Sequence, residues 1–253
     1  MIRPWRRLAG RFVLADSYRT ERYLRPIYLA SEFVCAENVP GDYLEFGVFR
    51  GESFVDAYHA ITNDVKDWAS KDRAKMSFTD PRRAEEAFAE VTRNEIRYFA
   101  FDSFDGLPEP QGVDTLSARF AKGRYDCSEG EFRRILASRG VDLNEVIIVP
   151  GFYEDSLTQA VKDTHQLTAA SIVMVDCDLY SSTKSVLDFI TSLVVDGSII
   201  IFDDWFAFKG NPNLGEQLAC GEWIEANPGL KLIPFARYGL TQQAFIVHKE
   251  VLD

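Results

Sequence analysis

Two short apolar runs constrain the fold of this chain more than any other feature. Ser171-Ile172-Val173-Met174-Val175 and Ser198-Ile199-Ile200-Ile201-Phe202 lack the polar alternation of a half-exposed strand, so each reads as a strand buried on both faces. Strands of that kind belong to parallel sheets covered by crossover helices. Further strand-like runs lie at 97–101 and 146–149 and in Tyr43-Leu44-Glu45-Phe46. Helical patterns at 129–139, 155–163, 183–194 and 215–226 fall between most of them. A helix over 17–37 comes first and ends at Asn38-Val39-Pro40-Gly41, and another runs from Gly51 to about Thr62. The last two runs, 230–235 and 243–248, are separated by only seven residues, Ala236 to Gln242. That connection is too short for a crossover helix, so these two strands are expected to be antiparallel. The fold class is therefore α/β: a mostly parallel sheet with a C-terminal antiparallel hairpin and helices on both faces.

The chain has 253 residues, 46% hydrophobic and 26% charged, which excludes disordered and collagen-like classes. No repeat or long linker divides it. We expect an N-terminal helical or lid segment at 1–37 and one domain at 38–253. The domain carries an insertion at about 64–95, where 82–95 is helical in pattern (Ala84, Ala87, Phe88 and Val91 on one face). The net charge is −11, which disfavours nucleic acid as a partner, since that binding needs clustered Lys and Arg. Residues 1–25 run against this trend, with seven Arg facing only Asp16 and Glu21. A solvated helix pairing with the acidic body, a grip on an anionic acceptor and a transit peptide are all open readings of that segment.

Cys35, Cys127, Cys177 and Cys220 show no metal-binding spacing. No apolar run approaches a membrane span and no secretory segment is visible. A reducing, cytoplasmic setting is expected. His59, His165 and His248 do not cluster and read as structural, and no G-x-S-x-G elbow or Walker loop is present.

Three motifs carry the chemistry. Glu45-Phe46-Gly47-Val48-Phe49-Arg50-Gly51-Glu52-Ser53 lies at a strand-to-helix turn, where glycines admit a ligand to the backbone and a helix start offers free N–H groups. Its E-x-G-x-x-x-G spacing lacks the third glycine that a dinucleotide pyrophosphate requires. It suits S-adenosylmethionine, whose ammonium group Glu45 could meet. Asp102, at the end of the next strand in Phe101-Asp102-Ser103-Phe104-Asp105-Gly106-Leu107-Pro108, is placed for the two hydroxyls of a ribose, with Asp105 as the alternative; either acid could instead cap a turn.

The third motif is a pair. Asp176-Cys177-Asp178 ends one apolar run and Asp203-Asp204 ends the next. Neighbouring parallel strands bring these ends together, at the edge where α/β ligand crevices form. Four crowded carboxylates repel one another, and a hard divalent cation such as Mg2+ relieves that with oxygen ligands. The plain alternative is helix capping, which Asp178 could provide for a helix starting near Ser182.

In order and spacing, the segments 40–51, 101–108, 175–183 and 197–205 resemble the macrocin O-methyltransferase family over roughly residues 38–206. The resemblance implies a Rossmann-like class I methyltransferase fold with a seven-stranded sheet, and methyl transfer from S-adenosylmethionine to a sugar hydroxyl with Mg2+. It implies Asp176, Asp203 and Asp204 as metal ligands and Asp178 as general base. It assigns the methyl donor to Glu45, Phe46, Gly47, Val48, Gly51, Ser53, Asp102, Ser103 and Asp176, and through Gly151-Phe152-Tyr153-Glu154-Asp155-Ser156-Leu157 also to Gly151 and Phe152. The family's Thr is Ser156 here. The implied partner is a small-molecule acceptor, a sugar or glycoside, and self-association is open. Acceptor contacts are expected from 1–30, 107–126 and 206–215, with Arg119 to Tyr125 as a candidate lid. The rivals are a metal-dependent phenol or catechol methyltransferase, a non-catalytic binding protein of the same fold, and a dehydrogenase, which the missing third glycine disfavours.

Overall fold

The computed structural model describes residues 25–70, 96–116 and 119–250. Most of the 1–37 segment, the 82–95 helix and the larger part of the expected insertion lie outside the described residues. In chain order the elements are α1 (Pro26–Ala36), β1 (Asp42–Phe46), α2 (Glu52–Ser70), β2 (Tyr98–Asp102), α3 (Glu129–Ser138), β3 (Val146–Pro150), α4 (Tyr153–Ser156), α5 (Gln159–His165), β4 (Ala170–Val175), α6 (Tyr180–Ile190), β5 (Val194–Phe202), α7 (Ala207–Gly210), α8 (Gly215–Ala226), β6 (Leu230–Tyr238) and β7 (Gln242–Lys249).

The strands form one seven-stranded sheet in the order β3-β2-β1-β4-β5-β7-β6. The first five in that order pair in parallel. β7 runs antiparallel to both β5 and β6. This is the expected mostly parallel sheet with an antiparallel C-terminal pair. The sheet order reverses between β1 and β4, and such a switch point opens a crevice at the strands' C-terminal ends.

The apolar runs account for this arrangement. Strand side chains alternate between faces. Val173, Val175 and Phe202 therefore join Phe46, Leu187 and Trp223 in one core layer. Ile172, Met174 and Ile201 join Tyr43, Phe54 and Phe132 in the other. Fully burying each such side chain stabilises by roughly 1.5–3 kcal/mol, so a one-residue register slip would gain nothing but would misplace the acids that follow.

Two helices differ from expectation. The helix after Gly51 continues to Ser70, because 63–70 contain no Gly or Pro and each further residue adds a hydrogen bond. The pattern at 155–163 is split into α4 and α5 at Leu157-Thr158, where the backbone leaves helical angles and the Thr158 side chain caps α5. No helix among the described residues is long and apolar enough to cross a membrane.

Candidate active site

At the C-terminal edge of the sheet lies a cavity of about 580 Å³, the size of a small-molecule site. One side is built from the turn after β1. Gly47 lies there with φ +88°, and a Cβ on it would lie 1.8 Å from the carbonyl oxygen of Asp176. The turn is held open by Asp102, whose Oδ2 accepts the N–H groups of Val48 (2.8 Å) and Phe49 (3.1 Å) while Oδ1 accepts that of Phe104 (2.7 Å). Phe49 sits at φ +41°, a conformation that costs energy outside glycine and is sustained here by those two bonds.

Gly47, Asp102, Ser103, Gly151, Phe152 and Asp176 all line the cavity. The Ser103 hydroxyl donates to the Gly106 carbonyl at 2.8 Å and accepts from the Asp105 N–H, which folds the loop after β2. Glu45, Phe46, Val48, Gly51 and Ser53 are not among the lining residues; they build the turn from behind. Glu45 is completely buried, and it accepts from the Tyr43 hydroxyl and from the Ser53 hydroxyl at 2.6 Å. Burial pushes its carboxyl up to about 8, against the opposing pull of those two hydrogen bonds. Phe46 stacks on Phe101 at 4.6 Å. Gly51 has φ +74°, and a Cβ there would meet the Phe132 ring at 2.8 Å.

The wall adjoining this turn is acidic. Asp176, Asp203 and Asp204 each present a carboxylate oxygen, all within 4.8 Å of one another. The sheet register causes this, since Val175 pairs with Phe202 and both strands end there. Burial and the neighbouring carboxylates push Asp176 well above the ordinary carboxylate range, and burial raises Asp203 against a hydrogen bond from Gln242. Asp204 Oδ1 accepts no hydrogen bond, with Arg119 Nη2 3.4 Å away as its ion-pair partner. An all-oxygen set of this kind could hold a hard divalent cation.

Asp178 also lines the cavity, buried and at φ +63°. Burial and then the adjoining Asp204 carboxyl push it up to about 8. It does not cap the helix that follows. α6 starts at Tyr180, and its first N–H groups go to Asp114, whose Oδ1 accepts from Tyr180 (2.7 Å) and Oδ2 from Ser181 (3.2 Å). The capping alternative for Asp178 is thereby excluded.

The loop 107–126 contributes Leu107, Pro108, Glu109, Arg119, Lys122, Arg124 and Tyr125 to the cavity. Its ends are clipped together by Leu107 N–H to Arg124 O and Gly123 N–H to Leu107 O, both 2.9 Å. Tyr125 meets Phe49 edge-on across the mouth at 5.8 Å. The lining reaches no residue of 206–215. The histidines lie elsewhere: His59 contacts the Arg139 carbonyl, His165 packs on Phe99 and His248 pairs with Asp196.

Two acids were missed in the sequence. Nothing local marks Asp114, because its partners lie 66 and 67 residues away. Glu216 is 2% exposed, and the charges it feels most are Asp204, Asp203, Asp176 and Asp178. Its signal was legible: Glu216, Ala219, Cys220 and Trp223 share one helical face.

The family described as Macrocin-O-methyltransferase (TylF) matches residues 83–218. A demethyldecarbamoylnovobiocin O-methyltransferase of Streptomyces niveus is 26% identical over 183 residues, covering 69% of this chain and 56% of that protein. An 8-demethyl-8-(2,3-dimethoxy-alpha-L-rhamnosyl)-tetracenomycin-C 4'-O-methyltransferase of Streptomyces olivaceus is 26% identical over 180 residues, with the same coverage of each chain. The chain thus spans little more than half the length of these curated relatives. Among solved structures, the O-methyltransferase NovP superposes with a TM-score of 0.63 at 21% identity, covering 90% of this chain and 80% of its own. The calicheamicin methyltransferase CalS11 gives 0.58 at 21% identity, covering 88% and 81%. These two share the fold: a seven-stranded class I methyltransferase sheet. With a match over more than half its length, the chain belongs to the macrocin O-methyltransferase family.

Proposed function

We propose that this chain is an S-adenosylmethionine-dependent O-methyltransferase that methylates a hydroxyl of a sugar or glycosylated small molecule, with a divalent cation, Mg2+, at Asp176, Asp203 and Asp204. The observation that carries this reading is the cavity itself, with a glycine turn and Asp102 on one wall and four carboxylates on the wall adjoining it. Three acceptor positions of Asp102 are taken by backbone N–H groups, and the remaining capacity suits a ribose hydroxyl. Gly47, Ser103, Gly151 and Phe152 would border the methyl donor, which supplies an electrophilic methyl group. The cation, when bound, makes a neighbouring hydroxyl more acidic. Asp178 accepts the proton of the reacting hydroxyl. The capping of α6 falls to Asp114 and not to Asp178. The acceptor class follows the two curated relatives, whose names specify demethyldecarbamoylnovobiocin and a rhamnosyl tetracenomycin. The loop 107–126 holds that acceptor, with Arg119, Lys122 and Tyr125 at its mouth. We assign the protein to the cytoplasm, since its cysteines are buried thiols.

The test combines binding and turnover. A ligand held at 100 times its Kd adds about 2.7 kcal/mol of stability, or about 5–10 °C in Tm for this size. S-adenosylmethionine should produce that shift. Acceptors with vicinal hydroxyls should yield S-adenosylhomocysteine with Mg2+ and not with EDTA. Turnover of catechols alone would move the acceptor class. No shift with millimolar S-adenosylmethionine or S-adenosylhomocysteine would overturn the enzyme reading in favour of a binding protein.

A further inference from the structure

Behind the acidic wall sits a carboxylate that the proposed reaction does not use. After Asp204 the chain makes a tight excursion through Phe208 (φ +54°) and Lys209 (φ +61°) and reaches Gly215 at φ +56°. A Cβ on Gly215 would meet the Phe208 ring at 2.8 Å. This passage delivers Glu216 to the inward face of α8. There it is 2% exposed, and neither of its oxygens has a hydrogen-bond partner. Among the described residues, the buried side-chain nitrogen and oxygen atoms without such a partner are three: both oxygens of Glu216 and Oδ1 of Asp204.

The start of α8 is tied to the chain just after Asp204, since Gln217 Nε2 donates to the Trp205 carbonyl at 2.6 Å. The acids of the site, Asp204 first, all act on Glu216 to raise its carboxyl, after burial itself. Cys177, between Asp176 and Asp178, feels Glu216 more than any other charge. A leucine or methionine would fill this place without desolvating a carboxylate. Asp204 Oδ1 has the Arg119 guanidinium as an ion-pair partner at 3.4 Å but no hydrogen bond, and buried carboxylate oxygens without a hydrogen bond call for a group that donates to them, water being the usual one.

We propose that Glu216 is a positioning residue of the cation centre, holding a water shared with Asp204 Oδ1 that fixes the Asp204 carboxylate toward the cation. Glu216 does not line the cavity and acts through Asp204. The inference rests on the cation reading of Asp176, Asp203 and Asp204.

The test is Mn2+ affinity of the cofactor-free protein, read from the electron paramagnetic resonance of free Mn2+. Wild type is compared with Glu216→Gln, Glu216→Met and Asp203→Asn, with EDTA melting curves for each. Mutating a residue that orients a metal ligand typically costs 10–100-fold in metal affinity. Both Glu216 variants should therefore bind Mn2+ at least 10-fold more weakly than wild type. They should melt in EDTA no lower than wild type, a combination that a merely structural role does not produce. Affinities less than 10-fold weaker than wild type, or weak binding accompanied by a lowered EDTA melting temperature, would overturn the inference alone, provided that wild type binds Mn2+ and Asp203→Asn does not. A wild type that binds no Mn2+, or an Asp203→Asn variant that binds as wild type does, overturns the cation reading and this inference with it.

Discussion

A Cβ on Gly47 would lie 1.8 Å from the backbone oxygen of Asp176. The end of β1 and the first acid of the site are thus in direct backbone contact, and the Asp176 N–H donates to the Phe46 carbonyl at 2.9 Å beside them. The turn that borders the methyl-donor side and the carboxylate that begins the acidic side are set by one another.

Gly47→Ala should therefore be severe. The new methyl meets backbone rather than a movable side chain, and φ +88° is itself strained for alanine. A loss of at least ~2–3 kcal/mol is expected, a fall of about 5–10 °C in Tm. The S-adenosylmethionine shift should vanish with it. A variant melting within 2 °C of wild type would refute the close approach.

Asp114→Ala removes both acceptors from the start of α6. Cap deletions cost about 0.5–2 kcal/mol, so Tm should fall by about 1–8 °C. Asp114→Asn, which keeps one good acceptor, should lose less. Differential scanning calorimetry orders the two, and the reverse order would remove the capping role.

Asp178→Asn keeps the shape of the proposed base and removes its ability to take a proton. Turnover should drop by roughly 10²–10⁴-fold, while the S-adenosylmethionine-induced shift in Tm stays. Steady-state release of S-adenosylhomocysteine measures this, and unchanged turnover takes Asp178 out of the chemistry.

Glu45 makes stability depend on pH. Its folded carboxyl titrates at about 8, whereas an unfolded glutamate titrates near 4.3. Between those values the native state binds the extra proton, so stability falls as pH rises through that window and levels off above it. Asp178, also raised to about 8, adds a slope of the same sign. In EDTA, Tm should therefore decline from pH 5 to pH 8.5, and Glu45→Gln should flatten the decline. Because Tyr43 and Ser53 must reorient their hydroxyls around the amide, the slope is the diagnostic and not the absolute Tm. An equal slope in the variant would contradict the buried-acid assignment.

What the sequence determined by itself was what short-range pattern can carry. The unbroken apolar runs before Asp176 and Asp203 demanded strands covered on both faces, because a strand's burial is written in its own residues. Parallel neighbours then had to bring the two acid pairs to one edge, and E-x-G-x-x-x-G argued against a pyrophosphate. Tertiary structure alone decided which acids do what. Asp178 was ambiguous between cap and cavity until Asp114 arrived from a distant loop to take the N–H groups of Tyr180 and Ser181. Glu45 read as a residue facing ligand, and only packing decided that its carboxyl is buried and accepts from Tyr43 and Ser53. Glu216 passed unremarked in the sequence, and its burial became evident only once α8 had packed its inward face. The insertion of β7 between β5 and β6 was equally unwritten, since a hairpin pairs with itself locally but chooses its sheet edge by long-range packing. Burial and hydrogen-bond partners are properties of the space between elements, and that space exists only once the chain has folded.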